Sequence, residues 1–440
     1  MTAVARAYHP YSERMRVPRV ALSATAVVLL AVGCTAGAAG HTAPSGRAPS
    51  APSSPVLSSP VPSSPAAVRV TRAHAAPGYS TATAHARALG TAGTSLESMP
   101  ASPLGVVITS GGRWAFVSLA DSIAVLRSGG HGAPSLVRTI PSPGQSPSGE
   151  VLTRDGRYLV VAAGSGAEVI DVARAEDGTP HAVLGTLTSK SSASAIEVAL
   201  SPDDRYAFVS IEYGDEVAVF SLQRALADGF GPSDFIGDIP VGQAAAGLAV
   251  SPAGRWLYSI SELAAGSQRP GSGLDGQGTL QVISIHRAET DPGRSVVATV
   301  SAGCEPVRVI TSPDGRVLWV TARASDTLLG FSAARLRTDP AHSIVARVRV
   351  GEAPVGLALV RNGTRIVVAD SDRFFKTPRA SPSLAVVDVA AALAGKPALL
   401  GYLRAGGFPR EMALEPGGRT LLVTNFYVSQ LDSVNVTGLP

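Results

Sequence analysis

Two cysteines, Cys34 and Cys304, are all that the 440 residues contain, too few for a disulfide framework. Phosphate-binding loops and dinucleotide fingerprints are absent, so no nucleotide cofactor is expected. Aromatic residues make up 5% of the chain, ten of them phenylalanine, so any exposed phenylalanine pair stands out. One apolar run, residues 20–32, is too short to span a bilayer as a permanent helix. The formal charge of +4 and the isoelectric point near 9.2 come from the N-terminus. Residues 1–33 carry a net +3 and residues 34–78 another +3, which leaves the remainder near −2 and without the basic excess that attracts nucleic acid.

What is present is a repeat. A turn of the type Ser312-Pro313-Asp314-Gly315-Arg316, between two apolar runs, recurs seven times, with its glycine position at 112, 156, 204, 254, 315, 363 and 418. The mean spacing is 51 residues, the length of one four-stranded propeller blade. The expected fold is all-β: a seven-bladed β-propeller of four-stranded antiparallel blades over residues 79–440, because a blade cannot bury both faces without neighbours.

The fifth repeat gives the plan of a blade. Residues 307–311 suit an innermost strand, 317–321 the second, 327–332 the third and 344–350 the outer one. The seventh repeat ends without an outer strand. The segment 79–97, and within it 81–92, precedes the first innermost strand where outer strands precede the others, so it is expected to complete blade seven and remove two open edges. A closed ring has few edges for pairing, and a monomer is expected.

Leu421-Leu422-Val423-Thr424-Asn425 and Leu318-Trp319-Val320-Thr321, each directly after its turn, resemble the YVTN-type β-propeller repeat over about 98–440. The resemblance implies a propeller fold with a variable task, relatives including surface-layer and lactonase-like proteins. It raises a lactonase-like hydrolase, acting on a lactone or sugar-derived ester, as the alternative to a binding module.

Residues 1–33 read as a signal peptide, with Arg14, Arg16 and Arg19 ahead of the apolar run and Met15 as an alternative start. The run ends Leu30-Ala31-Val32-Gly33-Cys34, which resembles a bacterial lipobox and makes Cys34 the expected lipidation site, with a simply secreted protein as the alternative. Cys304 then has no partner and is expected to be a buried small hydrophobe. Residues 34–78 are rich in Ala, Ser and Pro and are expected to form a disordered tether, holding the propeller away from the outer face of the membrane.

Counting seven residues back from each turn glycine gives one position per blade near the channel mouth: Gly105, Gly149, Glu197, Gly247, Arg308, Gly356 and Glu411. The glycines are expected to leave an open bore, into which Arg308 projects to grip a polar ligand. Glu197 and Glu411 would accept its hydroxyls, with Arg410 as a second cation. The competing expectation is that these charges pair with one another. Two loops on the same face are long: residues 261–278, glycine-rich, and residues 370–382, where Phe374 and Phe375 stand among Arg373, Lys376 and Arg379. That pair is expected to stack a sugar, dock a peptide or cap the channel. Asp370, Asn425 and Tyr427 complete the expected rim.

The eight histidines (9, 41, 74, 85, 131, 181, 286, 342) fall on neither innermost strands nor these loops, so a Ser-His-Asp arrangement or a histidine-rich metal site is hard to assemble. Asp370 and Asp372 fall short of an EF-type calcium loop. No metal or cofactor is expected, and the function read from the sequence is an exported, membrane-tethered binding module for a small molecule, glycan or protein.

Overall fold

The computed structural model describes residues 70–74, 87–89, 94–128, 133–191, 194–264, 276–374 and 381–440. Within them lies a seven-bladed propeller whose blades are four-stranded antiparallel sheets, counted outwards from the axis in chain order. The innermost strands are Val106–Ile108, Glu150–Leu152, Ala195–Leu200, Gln243–Val250, Pro306–Thr311, Pro354–Val360 and Pro409–Leu414. Blade five follows the expected plan, with its second, third and outer strands at Val317–Ala322, Thr327–Ser332 and Ile344–Arg349. Among the described residues five short helices join third to outer strands in blades two to six.

The turn sequence makes its own structure. Gly315 sits at φ 68°, the left-handed region that glycine enters freely. The Ser312 hydroxyl donates to Asp314 at 2.6 Å and accepts from the Val317 N–H that opens the next strand, while Asp314 accepts from the Arg316 N–H. Bonding to Ser312 and to that N–H holds the Asp314 carboxyl below its usual value. The same contacts recur at Ser201/Asp203 and Thr153/Asp155.

Strand alternation divides the apolar side chains between two neighbours, so the core is seven layers, one between each pair of blades. In the second strand of blade three, Ala207, Val209 and Ile211 pack toward blade two and Phe208 toward blade four. Trp319, fully buried, fills the layer between blades five and six.

Ring closure differs in detail from expectation. The outer strand of blade seven is Thr94–Ser98, antiparallel to Gln430–Asn435 with Leu96 opposite Asp432. Glu97 accepts the Leu136 N–H at 2.9 Å and so ties blade seven to the outer strand of blade one. Of the expected segment 81–92, Arg87–Ala88 instead pairs in parallel with the outer strand of blade six, and 81–86 and 90–92 lie outside the described residues. The Thr-Ser-Leu run suits a half-exposed strand better than the alanine-rich stretch before it.

The tether is corrected too. Residues 70–74 are docked: Thr71 bridges Val300 in the outer strand of blade four, and His74 exchanges backbone hydrogen bonds with Ala341 and Ile344 of blade five. The unpaired outer edge of a blade offers N–H and C=O groups to any passing chain, and the N-terminal segment takes them. The signal and lipidation expectations, with most of the tether, lie outside the described residues. Cys304, at the end of Val296–Cys304, is buried as expected but is disulfide-bonded, and the chain's other cysteine is Cys34.

Candidate functional site at the channel mouth

In five blades the innermost strand slips register against the second strand where it reaches the mouth, between Ala195/Glu197, Ala245/Leu248, Pro306/Arg308, Pro354/Leu357 and Pro409/Met412. Such a bulge re-aims consecutive side chains. It is how Arg410 and Glu411, adjacent in sequence, both reach the mouth. Just before it, in four of these blades, a non-glycine residue adopts left-handed φ, among them Glu305 (47°) and Phe408 (56°), a conformation costing about 1 kcal/mol or more each.

The glycines expected to leave an open bore are used for packing between blades. The four glycines admit neighbouring blades: a Cβ on Gly105 would strike the Ser148 carbonyl, one on Gly149 the Glu197 carboxylate, one on Gly356 the Arg410 carbonyl, and one on Gly247 would lie 2.7 Å from the Val307 carbonyl. Hydroxyls on the second strands stitch the ring. Thr321 accepts the Arg308 N–H at 3.2 Å and donates to Val355 of blade six at 2.7 Å. Ser210 bridges blades three and four, and Thr424 blades seven and one, in the same way.

Through the remaining space runs Glu197–Arg308–Glu411, from blades three, five and seven. The Arg308 Nε lies 2.5 Å from Glu411 Oε1 and 3.5 Å from Glu197 Oε2. Of the two sequence expectations, mutual pairing is the one realised, and Arg308 is not free to grip a ligand. Burial alone would depress its guanidinium, and Glu411 and Glu197 outweigh burial and hold it above its ordinary value. Glu197 is pushed up to about 7, by burial first, with Arg308 opposing and Glu411 adding. Beside it Glu150, which the sequence reading missed, has both carboxylate oxygens shielded from solvent; burial, then Glu197, raises it well above the usual range against the Ser118 backbone.

A second set rims the mouth. Arg323 is buried and held by Glu262 at 2.7 Å and Glu305 at 3.1 Å. The Phe374 ring takes the guanidinium of Arg323 at 5.8 Å and of Arg373 at 5.6 Å. Arg373 also lies 5.7 Å from Phe408, which packs edge-on against Phe426 and Tyr427. Glu212 is raised by burial and by Glu262, against Arg410, Arg323 and Arg373, so all five belong to one electrostatic cluster. Among the described residues Arg410 has no carboxylate within 4.0 Å and its buried Nε has no partner; burial, then Arg308, lowers it to about 10.

Of the residues expected on the rim, the structure brings Glu197, Arg308, Glu411, Arg410, Arg373, Phe374 and Tyr427 together, and Phe375 lies outside the described residues. Asp370 and Asn425 are corrections. Asp370 is 1% exposed, accepts from Ser383 at 3.2 Å and faces the Gly351 N–H; burial raises it well above its usual range. Asn425 is fully buried against Gly406 and Asp432. Asp370 is part of a recurrent device, seen also where Glu168 accepts the Gly144 N–H in blade two and Asp432 the Gly406 N–H in blade seven, that satisfies the loop entering the blade.

The missed residues had a signal. Counting eight forward from each turn glycine yields Glu212, Glu262, Arg323 and Phe426, and counting ten back yields Glu305 and Phe408. Among the described residues no group of three or more His, Cys, Asp or Glu is placed to hold a metal ion.

No family model matches the chain, and no curated protein matches it. A solved chain of Kuenenia stuttgartiensis hydrazine synthase is similar, with a TM-score of 0.58 at 14% identity over 77% of this chain and 96% of that one. At that identity the likeness carries the fold alone.

Proposed function

We propose that the chain is an exported binding module that captures its ligand on the channel-mouth face of a YVTN-type propeller. The observation that carries this reading is the rim itself. Phe374 (37% exposed) and Tyr427 (55% exposed) stand in the open beside the cations Arg373 and Arg410, while the catalytic histidine that acyl transfer commonly recruits is absent from the described mouth. A thermal-shift screen of the full chain against sugars, cell-wall fragments, lactones, nucleotides and divalent metals tests it. At least one class should raise the melting temperature, and the shift should vanish in Phe374→Ala/Tyr427→Ala; a screen blank in every class overturns a small-ligand role.

The lactonase-like reading keeps one observation in its favour, the adjacency of two acid groups, Glu150 and Glu197, with raised carboxyls. It requires turnover on a lactone panel that Glu197→Gln abolishes. The anchor has its own test. One sulfur cannot carry both a thioether-linked lipid and a disulfide, and Cys304 is disulfide-bonded. Non-reducing peptide mapping that finds 34 linked to 304 favours secretion without an anchor, and a diacylglyceryl mass on Cys34 favours the tether.

A further inference from the structure

We propose that Arg410, with Arg373 beside it, forms a subsite for the carboxylate of an acidic sugar whose ring lies on the exposed aromatic wall of Phe374 and Tyr427. The inference rests on the binding-module reading above and names the class of ligand. Four arginines meet at the mouth, and two are saturated: Arg308 by Glu197 and Glu411, Arg323 by Glu262 and Glu305. Arg410 has no such partner among the described residues, and its Nε is shielded from water with nothing to accept its proton. The carboxylate nearest in sequence, Glu411, is committed to Arg308 at 2.5 Å. A guanidinium that is already partly stripped of water, and whose protein counter-charges are taken, is arranged for an anion from outside.

The surroundings narrow that anion. Glu150, Glu197, Glu212, Glu262, Glu305 and Glu411 all lie around the mouth, and such a ring of carboxyls disfavours a dianion such as phosphate far more than a single planar carboxylate. A carboxylate also matches the two parallel N–H donors of an arginine fork. The body of the ligand is narrowed by the wall. Arg373 is stacked between Phe374 and Phe408, and Tyr427 packs on Phe408 with more than half its surface open, so flat faces lie next to the cation. Glu212, which has no ion-pair partner within 4.0 Å among the described residues, is placed to accept hydroxyl protons. Carboxylate, stacking face and hydroxyls together describe a uronic-acid type of sugar.

Isothermal titration of the full chain with glucuronate, methyl glucoside and inorganic phosphate tests this. Glucuronate should bind at least tenfold more tightly than either of the others. Arg410→Gln should lose at least tenfold for glucuronate with a melting temperature close to that of the parent, Arg410→Lys should recover part of the loss, and Tyr427→Ala should weaken both sugars alike. Equal glucuronate affinity in the parent and in Arg410→Gln overturns the subsite, as does tighter binding of phosphate. Preference for methyl glucoside also overturns it while leaving the binding-module reading intact, and failure of all three probes overturns it and leaves that reading to the wider screen.

Discussion

Arg308 and Arg410 sit on innermost strands of the same propeller, at the same end of the channel, yet they are in opposite conditions. Arg308 is answered by a glutamate from blade three and another from blade seven. Arg410 is repelled by Arg308 and has a buried Nε with no acceptor among the described residues. The difference lies in what the neighbouring blades supply. Glycines in blades one, two, four and six let neighbouring strands approach closely, while the long side chains of blades three, five and seven pair with one another across the mouth. A charge at a propeller mouth therefore indicates a ligand site only when its partners have been counted.

The largest expected effect of breaking this contrast is at Arg308. Arg308→Ala leaves two buried glutamates facing each other without a cation, a change that costs about 3–5 kcal/mol, and the urea midpoint at pH 7 should fall accordingly. Arg410→Ala removes an uncompensated cation and should shift stability by less than about 1 kcal/mol, in either direction. Comparable losses in the two variants would erase the distinction between plug and open cation.

Much of this was legible beforehand, and the limits are physical. The repeat, the strand plan of blade five and the set Glu197, Arg308, Glu411 followed from period and count, because a fixed turn chemistry forces fixed offsets. The pairing of Arg308 did not follow, since it depends on distances across a ring that no local pattern contains. Asp370 was misread because the end of a second strand looks like the start of a loop, whereas in the fold it faces inward to meet the Gly351 N–H. Thr94–Ser98 was displaced by a few residues because an outer strand is defined by the edge it meets, here Gln430–Asn435, more than by its own sequence.

The second test sharpens the contrast through pH. Glu197 moves from 4.5 to about 7 on folding, so the native state holds a proton that the unfolded chain releases earlier. The folded chain binds more protons throughout that window, and stability should therefore fall as pH rises from about 4.5 to about 7, by about 3 kcal/mol at 1.4 kcal/mol per unit. Glu150, raised in the same direction, adds to the fall. Urea unfolding across that range should show the slope, and Glu197→Gln should remove the share that belongs to Glu197, leaving that of Glu150 and Asp370; an unchanged slope in that variant would place the titration elsewhere.

A smaller loss than those at Arg308 and Glu197 belongs to the hydroxyl that seats Arg308. Thr321→Val keeps the shape of the side chain but leaves the Arg308 N–H and the Val355 carbonyl without their shared partner, a loss of about 1–2 kcal/mol. The consequence that matters is positional. Blades two and six carry Ala162 and Ala369 where blade five carries Thr321, so the ring closes without a hydroxyl at those seams. If the hydroxyl of blade five serves closure alone, Thr321→Val should lower the urea midpoint and leave the pH slope as it was. If it also fixes the backbone from which Arg308 reaches Glu197 and Glu411, the variant should alter that slope as well, because the cation opposing the rise of the Glu197 carboxyl would have moved. The second outcome is the expected one, since the N–H that Thr321 accepts belongs to Arg308 itself.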